Sequence, residues 1–354
     1  MIKLEKNSIS SGKLPKGCEI CRKGAKMVLF VTGLCNFRCF YCPLSTGKKN
    51  RDVIYADEMP ILKEEQIIEE SKLIDGEGAG ITGGDPIKRL DRTIRFIKIL
   101  KDEFGTKYHI HLYTASGKKD EIEALANAGL DEIRFHIPVR LWNRLKYSDY
   151  ASKIKYSINA GMDVGIEIPV LPDKGDDILK MIRDAEDLGI NFINLNELEF
   201  SETNFESLRI HGYVTKSYIS SAVKGSESLA RKIILENDFN TTVHYCSSSF
   251  KDAIQLRRRL IRRARNVAKD YEIITKDGTI LKGIIEYGNI NDIYREIVDY
   301  YNVPENLVYR DIYKNRIEIA PWILDQLKEK IEGKKYIVEE YPTWDRTEVE
   351  REEL

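Results

Sequence analysis

Half of the chain's six cysteines fall within one eight-residue stretch, CNFRCFYC, which places Cys35, Cys39 and Cys42 directly after the apolar run MVLFVTG. Such a cluster has four readings: buried small hydrophobes, an incomplete zinc site, a disulfide with a leftover thiol, or the ligands of an iron–sulfur cluster. Spacing and context separate them. A disulfide framework conflicts with an α/β chain of cytoplasmic character, and a zinc site normally shows two CxxC pairs or nearby histidines, neither of which this loop has. Three thiolates on a four-iron cubane leave one iron without a protein ligand, free to bind a substrate or cofactor.

The elements around the loop decide where it sits. From Met27 to Phe200 short β-branched runs alternate with helical periodicity: MVLFVTG, KEEQIIEESKLID, GAGITGG, DRTIRFIKILKDEF, YHIHLYT, KDEIEALANAG, DEIRFHIP, ASKIKYSINAG, DVGIEIPVL, DDILKMIRDAEDLG and NFINLNELEF. This alternation predicts six strand–helix units with parallel strands and right-handed crossovers, and the glycines closing several helical runs supply C-caps. The expected fold class is α/β, a partial (β/α)6 barrel with a small C-terminal α+β domain; an open doubly wound sheet is the alternative. Both place functional residues at the C-terminal ends of the strands. The pattern divides the chain into an extension with a CxxC (1–26), the barrel (27–200), a helical extension with HxC and a basic helix (201–271), and the α+β domain (272–354).

CNFRCFYC resembles the CxxxCxxC signature of the radical S-adenosylmethionine (SAM) enzymes, including Tyr41 before the third cysteine. GAGITGGDP, at the end of the second strand, is similar to the family's Gly-Gly-Glu-Pro motif with Asp85 in the Glu position, and VGIEIPVLP on the fifth strand is a weaker third match. The resemblance covers about residues 27–200 and is nearest to the pyruvate formate-lyase activating enzyme branch and to an archaeal group of radical SAM proteins without an assigned reaction. It implies a [4Fe-4S] cluster on Cys35, Cys39 and Cys42 whose open iron chelates SAM, reductive cleavage of SAM to a 5′-deoxyadenosyl radical, and hydrogen abstraction from substrate. It also implies a flavodoxin- or ferredoxin-like electron donor. Gly83 and Gly84 would let backbone carbonyls approach the SAM ammonium beside Asp85. Tyr41 and Ile168 would lie along the adenine, with a plain core role the alternative for Ile168. Thr114 and Ser116 are candidates for polar contacts with SAM. Glu167, Asn194, Asn196 and Glu197, polar positions in apolar strands, are candidates for lining the cavity.

Cys18 and Cys21 form CEIC before the first strand. In an extended TVHYC, His244 and Cys246 share a face, so the four residues are a candidate second metal set, either structural zinc or an auxiliary iron–sulfur cluster; unrelated thiols are the alternative. The helix FKDAIQLRRRLIRRARNVAKDY carries six arginines between Arg257 and Arg265 in a chain of formal net charge −1. Most are expected on a solvated face. Arg257, on the apolar stripe, reaches out or meets a buried anion, and Arg257, Arg258 and Arg262 are candidates for contacts to an anionic partner such as RNA. With 42% hydrophobic and 32% charged residues, and no apolar run near the ~18 residues of a membrane span, the chain reads as cytoplasmic. The expected function is a radical SAM enzyme acting on an unidentified substrate, RNA or protein being the macromolecular classes. An activating enzyme for a glycyl-radical protein is second, and a non-enzymatic iron–sulfur electron carrier is third.

Overall fold

The computed structural model describes residues 1–354. The chain forms two compact units, Met1–Lys72 with Gly76–Leu256, and Leu73–Asp75 with Arg257–Leu354.

In the first unit seven parallel strands lie side by side in chain order: β1 (Lys26–Phe30), β2 (Gly78–Thr82), β3 (His109–Thr114), β4 (Glu132–Phe135), β5 (Asp163–Val170), β6 (Phe192–Glu197) and β7 (Thr242–Cys246). Strictly sequential order has no reversal point, so the doubly wound alternative is excluded and the crossover helices all pack on one face. The result is an open wall, not a closed barrel. The piece TVHYC, read from sequence only as short and extended, is the seventh strand: Phe192 to Asn196 pair in register with Thr242 to Cys246.

Residue alternation sends the two faces of this wall in opposite chemical directions. One carries Ala79, Ile81, Ile110, Leu112, Ile133, Ile166 and Ile168, all buried, and packs on the crossover helices, among them the helix Leu90–Phe104 through Phe96, Ile97 and Leu100. The inner face carries His109, His111, Glu132, Arg134, Glu167, Asn194 and His244. A short helix, α1 (Lys16–Arg22), covers part of it. A Cβ on Gly17 of α1 would stand 2.6 Å from both Arg134 Nη2 and His111 Nδ1, so only glycine permits this approach.

Arg134 is the hub of the inner face. Its Nε donates to Glu132 Oε1 at 2.5 Å and its Nη1 donates to Glu167 Oε2 at 2.8 Å, with the Arg134 side chain 2% exposed. Burial works against the charges of Glu132 and Glu167, yet the Arg134 guanidinium beside them holds both carboxyls below their usual range.

The second unit has an antiparallel sheet with strand order β9 (Val308–Asp311), β10 (Arg316–Ile319), β8 (Ile280–Glu286), β11 (Lys334–Glu340), β12 (Glu348–Glu353). Its apolar core includes Ile285, Ile293, Ile297, Ile317, Ile319 and Leu324. The basic helix, Arg257–Val267, belongs to this unit and not to the preceding stretch, so the boundary falls at 256/257 instead of the 271/272 read from the pattern change. Two of its arginines bond within the unit: Arg257 Nη1 donates to the Lys276 carbonyl at 2.7 Å, and Arg263 is 5% exposed and donates to the Pro342 carbonyl at 2.6 Å. Arg257 therefore meets a backbone carbonyl, not a buried anion.

Replacing Arg134 leaves two buried carboxylates uncompensated, a loss of about 3–5 kcal/mol. Arg134→Leu is expected to lower the denaturant midpoint accordingly, with partial recovery in Arg134→Leu/Glu132→Gln. A loss within 1 kcal/mol, or no recovery in the double variant, would show that the network does not depend on this charge balance.

Candidate functional site

The cluster loop leaves the C-terminal end of β1 and is pinned at both ends. At its start, Gly84 N–H donates to the Thr32 carbonyl at 2.7 Å and Asp85 N–H donates to the Leu34 carbonyl at 2.8 Å, so the GGDP turn after β2 is stitched to the loop by backbone bonds. A Cβ on Gly83 would stand 2.3 Å from the Thr32 carbonyl oxygen, and one on Gly84 would stand 2.5 Å from the carbonyl oxygens of Gly33 and Leu34. Neither glycine has a positive φ. Close approach of two backbones, not turn conformation, is what requires glycine here. At its far end, Asp52 is held by Arg92 at 2.7 Å, Arg89 at 2.8 Å and Thr32 Oγ1 at 2.8 Å, and the Arg92 and Arg89 bonds keep its carboxyl well below the usual range.

Between these anchors Cys35, Cys39 and Cys42 are free, half-buried thiols. Phe37 N–H donates to Cys35 Sγ at 3.3 Å. Burial pushes the Cys35 and Cys39 thiols up, so binding iron must displace their protons. Tyr41 is buried and its hydroxyl lies 2.9 Å from His136 Nε2. His136 Nδ1 lies 3.2 Å from the Glu167 carbonyl oxygen, which can only accept, so Nδ1 carries the proton and Nε2 accepts from Tyr41. The same Nε2 is 3.8 Å from Cys39 Sγ. His136, one residue beyond β4, thus joins the cluster loop to the wall. The sequence reading did not single it out, although the alternating Glu-Ile-Arg-Phe-His of 132–136 puts it on the face of Glu132 and Arg134.

Several expected cofactor contacts have other partners. Thr114 Oγ1 donates to Asp85 Oδ1 at 2.7 Å and Ser116 Oγ donates to Asp85 Oδ2 at 2.5 Å, while Ile87 N–H adds a third bond to this carboxylate, which is 1% exposed. Thr114 and Ser116 therefore orient Asp85. Ile168 is fully buried and, by alternation from Glu167, faces the helices, so the structure gives it the core role. Glu167, Asn194 and Asn196 do share the inner face: Asn194 Nδ2 and Asn196 Nδ2 donate to the two Glu167 oxygens at 2.9 and 2.8 Å. Glu197 faces the other way and accepts from Ser248 N–H at 2.8 Å.

Of the second cysteine set, Cys18, His244 and Cys246 are buried and Cys21 is half-buried. Asn194 stands between two of them: its Nδ2 donates to Cys18 Sγ at 3.3 Å and its Oδ1 lies 3.2 Å from His244 Nδ1. Burial raises the Cys18 thiol to about 11 and lowers His244 to about 4, so both are neutral near pH 7. The Asn194 amide thus bridges the Cys18 thiol and the His244 imidazole.

A sequentially ordered parallel wall whose first strand ends in a three-thiolate loop, braced by a Gly-Gly turn from the second, defines an α/β protein built to hold a metal cofactor at its strand ends. The chain belongs to the radical SAM superfamily. The model of that superfamily matches residues 29–191, and a domain of unknown function, DUF8061, matches residues 278–354. A Methanocaldococcus jannaschii protein provisionally named a glycyl-radical enzyme activating enzyme is 43% identical over 352 residues, covering 96% of this chain and 92% of that protein. The GTP 3′,8-cyclase of Helicobacter pylori is 24% identical over 199 residues, 53% of this chain and 60% of that enzyme. Among solved structures, Streptococcus suis SuiB bound to S-adenosylmethionine aligns with a TM-score of 0.41 and 14% identity, over 63% of this chain and 50% of SuiB. No helix is long and apolar enough to cross a membrane.

The thiol donor set, the half-buried loop and the glycine approach fit the [4Fe-4S] cluster and SAM that the family implies. Gly84→Ala must push backbone against backbone at Gly33 and Leu34. The expected result is at least a tenfold weaker SAM-induced change in the electron paramagnetic resonance spectrum of the reduced cluster, with iron content per chain also reduced. Unchanged spectra and iron would mean the turn is free to move away from the loop.

Proposed function

We propose that the protein is a radical SAM activating enzyme whose substrate is a backbone glycine of a partner protein. The observation that carries this reading is the identity to the Methanocaldococcus jannaschii protein, which extends through the second unit and so covers nearly the whole of both chains. When bound, the cluster supplies one electron from a flavodoxin- or ferredoxin-like donor to cleave SAM into methionine and a 5′-deoxyadenosyl radical, which takes a hydrogen atom from substrate to give 5′-deoxyadenosine and a substrate radical.

The chain's own residues supply placement. Cys35, Cys39 and Cys42 would hold three irons of the cluster and leave the fourth for SAM. The turn at Gly83 and Gly84 fixes the loop against β2, and Asp85, oriented by Thr114 and Ser116, sets a negative charge near the cationic amine of SAM. Tyr41, held by His136, closes the loop against the wall and limits water access. A protein substrate fits the engagement of Arg257 and Arg263 within their own unit better than RNA does. A bare electron carrier has no use for the Gly-Gly-Asp turn. For Cys18, Cys21, His244 and Cys246 the reading that fits the Asn194 bridge between Cys18 and His244 is a packed polar cluster between α1 and the wall, with metal loading the competing outcome.

Anaerobically reconstituted protein with dithionite and SAM is expected to release 5′-deoxyadenosine, and Cys39→Ala to reduce release to background. With a source-cell protein fraction labelled with [2,2-²H]glycine and freed of small molecules, deuterium is expected in the 5′-deoxyadenosine. Release of 5′-deoxyadenosine with deuterium drawn only from the small-molecule fraction would retain the radical chemistry and overturn the activating role.

A further inference from the structure

The inner face holds a second cluster that the radical chemistry does not use. His109 opens β3, Glu132 opens β4 and His111 is directly opposite Glu132 in the β3–β4 register, so alternation and pairing bring two imidazoles and a carboxylate to one corner. One donor atom from each lies within 4.8 Å of the others. All three residues are buried, at 8%, 1% and 0% exposure. His111 Nδ1 is a buried atom without a hydrogen-bond partner, and His109 Nε2 and Glu132 Oε2 face each other at 3.4 Å with no other partner. Buried polar atoms paired this loosely are uncommon in a folded interior, because they lose their hydration for little in return.

The neighbours match what a metal ligand set requires. His111 Nε2 lies 3.2 Å from the Tyr113 hydroxyl, which leaves Nδ1 as the nitrogen with no other partner. Glu132 Oε1 is fixed by Arg134 Nε, and Arg134 shares its charge with Glu167, so Oε2 is the oxygen left for another cation. Gly17 lies against this corner; a Cβ there would stand 2.6 Å from His111 Nδ1 and from Arg134 Nη2, so α1 reaches the site only through a residue without a side chain.

We propose that His109, His111 and Glu132 bind a divalent transition-metal ion of the zinc class, at the N-terminal ends of β3 and β4 and apart from the cluster loop at the opposite strand ends. Two imidazole nitrogens and one carboxylate oxygen are a ligand set of borderline softness that suits zinc, and three protein ligands leave a position for water. The ion ties β3 to β4 beneath α1. The site is independent of what the radical acts on.

The test uses full-length, untagged wild-type protein from zinc-supplemented cells, with zinc counted by mass spectrometry and its ligands read by X-ray absorption at the zinc edge, which the irons do not obscure. About one zinc per chain is expected, with nitrogen and oxygen neighbours at ~2.0–2.1 Å, histidine outer-shell scattering and no sulfur at ~2.3 Å. A sulfur shell would place the ion on the cysteines and overturn the proposal, as would zinc well below one per chain. Glu132→Gln and His111→Ala are expected to lose zinc while Cys18→Ser/Cys21→Ser keeps it. The opposite pattern would also overturn it. The wild-type spectrum decides even where a substitution prevents folding.

Discussion

The architecture of the first unit turns on a buried charge. A parallel wall normally buries apolar residues on both faces, but here one face carries carboxylates, imidazoles and amides, and each needs a partner away from water. Arg134 meets that requirement. It joins Glu132 on its own strand to Glu167 on the next, and Glu167 in turn accepts from Asn194 and Asn196 on β6. Three neighbouring strands are thereby locked by side chains as well as by their ladders. The face is then rigid enough for His136, bonded to the Glu167 carbonyl, to hold Tyr41 in the cluster loop.

Within the loop, Gly33 pairs with Asn50 and Arg51 at the base and Cys42 N–H donates to the Cys39 carbonyl. Further order comes from outside: the backbone stitches to the Gly-Gly turn on one side and the Asp52 cluster with Arg89, Arg92 and Thr32 on the other. Iron–sulfur ligation asks for such a frame, since the cofactor's reactive iron must meet SAM and then substrate in one geometry.

The sequence showed the chemistry more readily than the packing around it. The cysteine spacing, the GGDP turn and the strand–helix alternation were all visible, because each is a local pattern. The seventh strand was not recognised as part of the wall, since TVHYC follows a long helical stretch and its pairing with β6 is a long-range event. The polar inner face was written in the alternation of His-Ile-His and Glu-Ile-Arg, but mixed runs of this kind read equally well as half-exposed strands. Thr114 and Ser116 were read as contacts to SAM, whereas both bond Asp85, and which group they meet depends on where that carboxylate points. Ile168 and Arg263 depended on which side of a strand or helix meets the core, and for the basic helix the apolar stripe did not show that a guanidinium was buried beside it.

The open wall also has two ends. At one, β1 pairs antiparallel with the short strand Tyr55–Ala56; at the other, β7 pairs antiparallel with Ile9–Ser10. Each flanking segment covers two residues of its main strand and pairs outward with a further two-residue strand, Met59–Pro60 or Ile2–Lys3, so only short edges are offered. A wall finished in this way resists end-to-end stacking with another copy. It also leaves no long edge on which an incoming peptide could add as a further strand, so a macromolecular substrate would have to be recognised by side chains and loop surfaces instead of by backbone pairing to this sheet.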